Sequence, residues 1–233
     1  MEEHILRNRI IALLILIFLI VGVCMLFFKH KEAKEIKIAF LGDSITENGW
    51  INDYGYVNLV QSGLDEAGYD VTVIPAGVSG NTTRAMLNRM DDDVIAEKPD
   101  FMFFMGGINN IWFDYETYSD FERDVNQIVA KARQNNIKVV IVSLTIIDED
   151  LNSIKNETIL EYNNFLNLFA NENSILYIDV NKELRNVLKK KNPAQVENIL
   201  TYDGVHLNPL GNKIVGNKIT ADFLKYNKPK FLF

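Results

Sequence analysis

From residue 36 onward, short apolar runs of strand length alternate with stretches whose apolar residues recur every three or four positions. Five runs read as strands: 36–41 (IKIAFL), 71–74, 101–105 (FMFFM), 139–144 (VVIVSL) and 175–180. Between them the helical spacing predicts helices over 57–67, 82–97, 118–135 and 158–170. In the first, Val57, Val60, Leu64 and Ala67 share a stripe and Gly68 ends the element. Asn81 or Thr82 caps the second. In the third, Phe121, Val125, Ile128, Val129 and Ala132 form the buried face. A closing helix over 209–226 has Asn208 as its cap and Pro209 at its first position, although Gly211 and Gly216 count against it. Strands apolar without alternation are buried on both faces, which is the habit of parallel sheets covered by helices. The pattern therefore predicts an α/β fold, a three-layer α/β/α sandwich around a five-stranded parallel sheet. In such sheets the chemistry sits at the carboxyl ends of the strands, so functional residues are expected just after Leu41, Ile74, Met105 and Leu144.

The N-terminus breaks this alternation. Residues 10–28 read IIALLILIFLIVGVCMLFF, nineteen positions without a charge. As a helix this run rises roughly 28 Å, close to the hydrocarbon thickness of a bilayer. It is longer than a usual signal-peptide core of about 7–15 residues, and no small-x-small cleavage site follows it. Cys24 is a poor lipoprotein acceptor because Val23 stands where a small residue is wanted. The expected organisation is a short tail (1–9), a transmembrane anchor (10–28), a linker (29–35) and one catalytic-size domain (36–233). Arg7 and Arg9 precede the span, and Lys29, Lys31, Lys34 and Lys37 follow it. The positive-inside rule favours a cytoplasmic domain, although long domains translocate despite flanking charge.

Charge and cysteine usage narrow the function classes. Residues 1–34 hold five Lys/Arg and three Asp/Glu, so the remainder carries 19 basic and 28 acidic residues, a formal charge of −9. A nucleic-acid binder needs a basic face, and no nucleic-acid partner is expected. Cys24 is the one cysteine, so the domain holds no disulfide, thiolate nucleophile or Cys-ligated zinc. Neither a dinucleotide fingerprint nor a Walker loop occurs, and no cofactor or metal is expected.

Four segments carry the candidate chemistry. Gly42-Asp43-Ser44-Ile45-Thr46 follows the first strand. A serine at a strand-to-helix turn serves as a nucleophile whose own N–H faces a developing oxyanion, or simply as a helix cap. Gly77-Val78-Ser79-Gly80-Asn81-Thr82-Thr83 follows the second strand; it is a turn, or a place where a glycine exposes its N–H to a ligand. Gly106-Gly107-Ile108-Asn109-Asn110 follows the third and offers a side-chain amide, or again a turn. Near the end, Asp203-Gly204-Val205-His206 holds the domain's one histidine, because His4 and His30 flank the apolar span. Imidazole takes the proton of a serine hydroxyl and returns it to the leaving group. A carboxylate on its other nitrogen fixes the tautomer, and Asp203 is placed to do so, although Asp-Gly is also an ordinary turn. Together the segments supply a catalytic set, Ser44, Asp203 and His206, and oxyanion donors from the Ser44 and Gly80 N–H groups and the Asn109 amide.

In these four blocks the chain resembles the SGNH, or GDSL-type, hydrolase family: GDSIT at 42–46, GVSGNTT at 77–83, GINN at 107–110 and DGVH at 203–206, in the family's order. The resemblance implies a flavodoxin-like sandwich and names Ser44, Gly80, Asn109 and His206, with Asp203 as the triad acid. Gly77 is the rival for the Gly80 role. Ile45 replaces the family's leucine, and Asn110 stands where an aspartate is common, removing a carboxylate that braces the loop. The expected activity is hydrolysis of short acyl esters through an acyl-serine, with acetyl esters of carbohydrate as candidate substrates. An O-acyltransferase using the same triad and a noncatalytic glycan- or lipid-binding module are the alternatives. Trp50, Tyr54, Tyr56, Trp112, Phe113 and Tyr115 lie beside the catalytic segments as sugar-stacking or core residues, and the loop 145–155 is a candidate rim. Against the flanking charges, the family's habit places the domain outside the membrane.

Overall fold

The computed structural model describes residues 11, 13–18, 34–113, 116–192, 194 and 197–227. Two compact units are distinguished, Met1–Lys34 and Glu35–Phe233. In the first, residues 13–18 are helical, and most of the expected tail, span and linker lies outside the described residues. Among the described residues no helix is long and apolar enough to cross a membrane.

The strands are β1 (Lys34–Gly42), β2 (Tyr69–Gly77), β3 (Phe101–Met105), β4 (Lys138–Val142) and β5 (Leu176–Ile178). They form one sheet in the order β2-β1-β3-β4-β5. The pairings of β1 with β3, β3 with β4 and β4 with β5 are parallel. The helices are α1 (Ser44–Ile51), α2 (Tyr56–Glu66), α3 (Thr83–Met90), α4 (Ile108–Phe113), α5 (Tyr118–Gln134), α6 (Ile154–Glu172), α7 (Val180–Lys191) and α8 (Pro209–Tyr226). On one face α8 packs between α2 and α7; on the other α3 packs on α5. The residues of β3 are buried throughout, as a strand covered on both faces requires.

Chain order turns back on itself between β1 and β3, because β2 lies on the far side of β1. This is the switch point at which open α/β sheets hold their ligands. The register sets Gly42 of β1 beside Met105 of β3. The two chains therefore leave the sheet level with one another, and the segments that start at Asp43 and Gly106 emerge side by side.

Several expected boundaries are corrected. The helix expected over 82–97 ends as α3 at Met90, and a π-helical turn, Asp91–Ile95, follows. The strand expected over 175–180 stops at Ile178, because Asp179 caps α7 by accepting the Lys182 N–H at 2.9 Å. That helix was not anticipated, although Val180, Leu184 and Leu188 recur at helical spacing and are buried. Nor were α1 and the six-residue α4, both too short to show a period. The closing helix has its expected bounds. Its two glycines are contact points: a side chain at Gly211 would collide with the Leu200 carbonyl oxygen, and one at Gly216 would lie 2.8 Å from Leu59 Cβ on α2.

Candidate active site

Ser44 opens α1 directly behind β1. The Asp43 side chain caps that helix, accepting the Ile45 N–H at 3.0 Å, so Ser44 itself is not the capping residue. The Ser44 N–H is one of the first-turn donors that a helix leaves without an internal acceptor. From the other end of the chain, His206 brings Nε2 to 2.9 Å from Ser44 Oγ. Its Nδ1 lies 2.6 Å from Asp203 Oδ2. Ser44, His206 and Asp203 thus form an unbroken hydrogen-bonded relay across 162 positions of sequence.

Asp203 closes the turn and also reaches the histidine ring. Its Oδ1 accepts the Val205 N–H at 3.0 Å and the His206 N–H at 2.8 Å, closing the turn, while Oδ2 takes the ring. Burial opposes its ionisation, but the bonds from the His206 ring and from the two backbone N–H groups outweigh this and hold its pKa below the ordinary value. Beneath Ser44, Asp43 behaves in the opposite way. It is buried, and desolvation pushes its pKa up to about 6 despite the Ile45 N–H and the nearby charge of Arg89.

The oxyanion candidates are carried by the next two loops. Gly80 has φ +76, in the left-handed region, and a side chain there would meet nothing within 4 Å. Gly77 is different: a Cβ there would collide with the Glu47 backbone nitrogen, so its bareness lets β2 lie against α1. The geometry thus separates a conformational glycine at 80 from a packing glycine at 77. Asn109, buried at the start of α4, donates one amide N–H to the Asn81 carbonyl at 3.0 Å. That bond ties the third block to the second and leaves the other amide N–H for a ligand.

Asn110 does brace the loop, and the carboxylate it lacks comes from elsewhere. Its Oδ1 accepts the Thr83 N–H at 3.1 Å, and its amide donates to Thr83 Oγ1 at 3.0 Å and to Glu116 at 2.6 Å. Glu116 also accepts the Thr82 hydroxyl at 2.6 Å. Sequence reasoning missed Glu116, because nothing in its spacing marks it.

Two further charged residues hold the site together and were also missed. Arg89, on α3, donates to the carbonyls of Gly42 at 2.9 Å and Ala76 at 2.8 Å and to the Asn81 side chain at 2.6 Å. One guanidinium therefore pins the exits of β1 and β2, a task its planar fork of donors suits. Glu149 lies in the loop expected to form a rim, but it is buried. Its carboxylate accepts the N–H groups of Ile199, Leu200 and Thr201 at 2.7–2.9 Å and the Thr201 hydroxyl at 2.9 Å. Thr201 bridges to Leu207, and the Tyr202 N–H bonds the His206 carbonyl at 2.9 Å. The loop after β4 is thus a buttress for the Asp203–His206 turn. Its Asp148 N–H reaches the Gly204 carbonyl at 2.7 Å, and any side chain at Gly204 would press on Asp148.

Of the aromatic candidates, Tyr56 belongs to the core, bonded to Thr46 Oγ1 at 2.9 Å, and Trp50 packs against the core. Tyr54, Trp112 and Phe113 are exposed. Tyr54 meets the hydroxyl of Tyr202, the neighbour of Asp203, at 3.2 Å, and Lys155 lies 3.6 Å over the Trp112 ring. Tyr115 lies outside the described residues.

Comparison with known proteins finds esterases of the same fold. Residues 40–214 match the model of the GDSL-like Lipase/Acylhydrolase family. An acetylxylan esterase of Geobacillus stearothermophilus is 28% identical over 202 residues, covering 77% of this chain and 90% of its own. The crystal structure of the acetyl xylan esterase AlAXEase superposes with a TM-score of 0.73 at 33% identity, covering 80% of this chain and 98% of that one. A catalytic mutant of Axe2, an acetylxylan esterase of Geobacillus stearothermophilus, gives a TM-score of 0.72 at 25% identity, covering 82% and 94%.

Proposed function

This chain belongs to the GDSL-like lipase/acylhydrolase family and is a carboxylic ester hydrolase; from that premise we propose that it removes short acyl groups, acetyl above all, from carbohydrate hydroxyls through an acyl-Ser44 intermediate. The observation that carries the reading is the continuous relay from Ser44 Oγ through His206 to Asp203.

In the proposed cycle Ser44 Oγ attacks the ester carbonyl as His206 Nε2 takes its proton. The tetrahedral oxyanion is received by the N–H groups of Ser44 and Gly80 and by the Asn109 amide. Each donor of this kind contributes about 3–4 kcal/mol to the transition state. His206, held as imidazolium by Asp203, returns the proton to the departing sugar oxygen, and the C–O bond of the substrate breaks. Water then attacks the acyl-serine as His206 accepts its proton. Collapse of the second tetrahedral intermediate frees the carboxylic acid and re-forms the Ser44 hydroxyl. The acetyl preference is supported by the acetylxylan esterases that this chain resembles. The exposed Tyr54, Trp112, Phe113 and Tyr202 supply faces on which sugar rings stack. The apolar run at 10–28 serves, in this reading, as an uncleaved single-pass anchor that holds the domain beside extracytoplasmic glycans.

The test is release of acetate from acetylated xylo-oligosaccharide and from p-nitrophenyl acetate, beside the octanoate ester, by the wild-type chain and Ser44→Ala. Activity on both acetyl substrates that is lost in the variant, with little turnover of octanoate, is expected. Equal rates for wild type and variant would remove Ser44 from the mechanism. Preference for octanoate would overturn the acetyl assignment.

A further inference from the structure

Away from the triad, a cleft of ≈ 370 Å³ runs beside β5 between α6 and α7. No triad or oxyanion residue lines it. Its size falls in the range of about 300–1,000 Å³ typical of small-ligand sites. Tyr177 of the edge strand lines it, half-buried, with its hydroxyl donating to the Asn163 carbonyl at 3.3 Å. The α7 wall carries Lys182, Arg185 and Lys189, whose spacing of three and four residues puts them on one helical face. Among the described residues none of the three has an acid within ion-pair distance. The one acidic residue lining the cleft, Asp179, is engaged as the cap of α7. Arg185 Nη1 is buried yet has no hydrogen-bond partner among the described residues. A buried donor left in this state is costly, and an arriving acceptor oxygen relieves that cost.

This cationic cleft sits in a domain whose formal charge is −9. Exposed amides stand on both walls, Asn164 from α6 and Asn186 from α7. Amides both donate and accept, and so match the mixed demands of sugar hydroxyls. Leu160 and the Tyr177 ring give apolar area for a sugar face. We propose that the cleft is an accessory site for an oligosaccharide bearing a carboxylate, which the three cations recognise while the amides and the tyrosine hold its neutral sugars. Such a site retains a uronate-substituted glycan on the protein. The choice of a sugar rests on the carbohydrate reading of the active site.

Calorimetric titration of the full-length wild-type chain tests it, with ester-free probes so that hydrolysis plays no part. The probes are glucuronic acid-substituted xylotriose, neutral xylotriose and inorganic phosphate. The acidic oligosaccharide is expected to bind at least about tenfold more tightly than either of the others. Arg185→Gln, and separately the exposed pair Lys182→Gln with Lys189→Gln, should weaken it about tenfold while p-nitrophenyl acetate turnover is unchanged. Equal binding of neutral and acidic probes would overturn the charge recognition. Phosphate binding as tightly would overturn the glycan assignment. Absence of binding, or binding indifferent to both variants, would overturn the site. A missing esterase activity would register only in the p-nitrophenyl acetate assay, so the two readings fail separately.

Discussion

Asp203 holds His206 at two points: Oδ1 accepts the His206 backbone N–H at 2.8 Å, and Oδ2 lies 2.6 Å from its Nδ1. One carboxylate therefore shapes the turn and orients the His206 ring. The two tasks are separable by substitution. Asparagine retains a carbonyl oxygen for the turn but loses the charge that favours the imidazolium. Asp203→Asn is expected to lower the melting temperature less than Asp203→Ala does, since the turn keeps its acceptor, while kcat on p-nitrophenyl acetate falls by about 10²–10⁴-fold. Asp203→Ala should lower both. If Asp203→Asn keeps full kcat, the carboxylate is a turn former only.

Glu149 touches no catalytic side chain, yet it collects three backbone N–H groups of the segment that leads into the Asp203–His206 turn. In Glu149→Gln one acceptor oxygen becomes an N–H donor facing other donors, a loss of about 1–3 kcal/mol. The expected result is a lower melting temperature and a lower kcat with KM retained, because the base is displaced while the substrate surface is not. Calorimetry and steady-state kinetics on p-nitrophenyl acetate check this; an unchanged kcat would mean that the turn holds its shape without Glu149.

The two glycines of the second block should respond differently. Gly80→Ala places an L side chain at φ +76 in open space, a backbone strain of about 1–2 kcal/mol with no collision. Gly77→Ala drives a methyl into the Glu47 backbone and pushes α1, and Ser44 with it, off the sheet. Overpacking of this kind costs about 1–3 kcal/mol or more, and here kcat falls with it. A Gly77→Ala enzyme with full kcat would show that α1 can shift without moving Ser44.

Asp43 gives the stability of the protein an unusual dependence on pH. Its folded pKa of about 6 lies above the ordinary 3.8, so between these values the folded state binds more protons than the unfolded state. Stability from this group is greatest below 3.8, falls as pH rises, and is lowest above about 6, a change of roughly 3 kcal/mol. Asp203, with a lowered pKa, has the reverse sign: its stabilisation is present above the ordinary carboxylate pKa and is lost as pH falls through the folded value. Asp43→Asn keeps an acceptor for the Ile45 N–H and removes the titration. In denaturant unfolding at pH 4, 5, 6 and 7, the variant should gain on the wild type with each step up to about pH 6. A constant difference across the series would show that Asp43 titrates as an ordinary carboxylate.

Periodicity sufficed for the layers because burial on one or both faces leaves a local record. FMFFM and VVIVSL read as buried strands, and Asn208-Pro209 marked the start of the closing helix. Ser44, His206, Asp203 and Asn109 were legible as candidates because each belongs to a short block of fixed spacing. What sequence could not show is how segments remote from one another share hydrogen bonds. Arg89 joins the exits of two strands, Glu116 replaces the carboxylate missing at Asn110, and Glu149 supports a turn some fifty residues away. None of these has a periodic or motif signature, since a charged residue on a helix or loop reads as solvent-facing until the fold folds a backbone over it. The glycines divide along the same line. That Gly77 or Gly80 matters was visible in the sequence, but only the packing of β2 on α1 decided which is needed for space and which for its left-handed backbone.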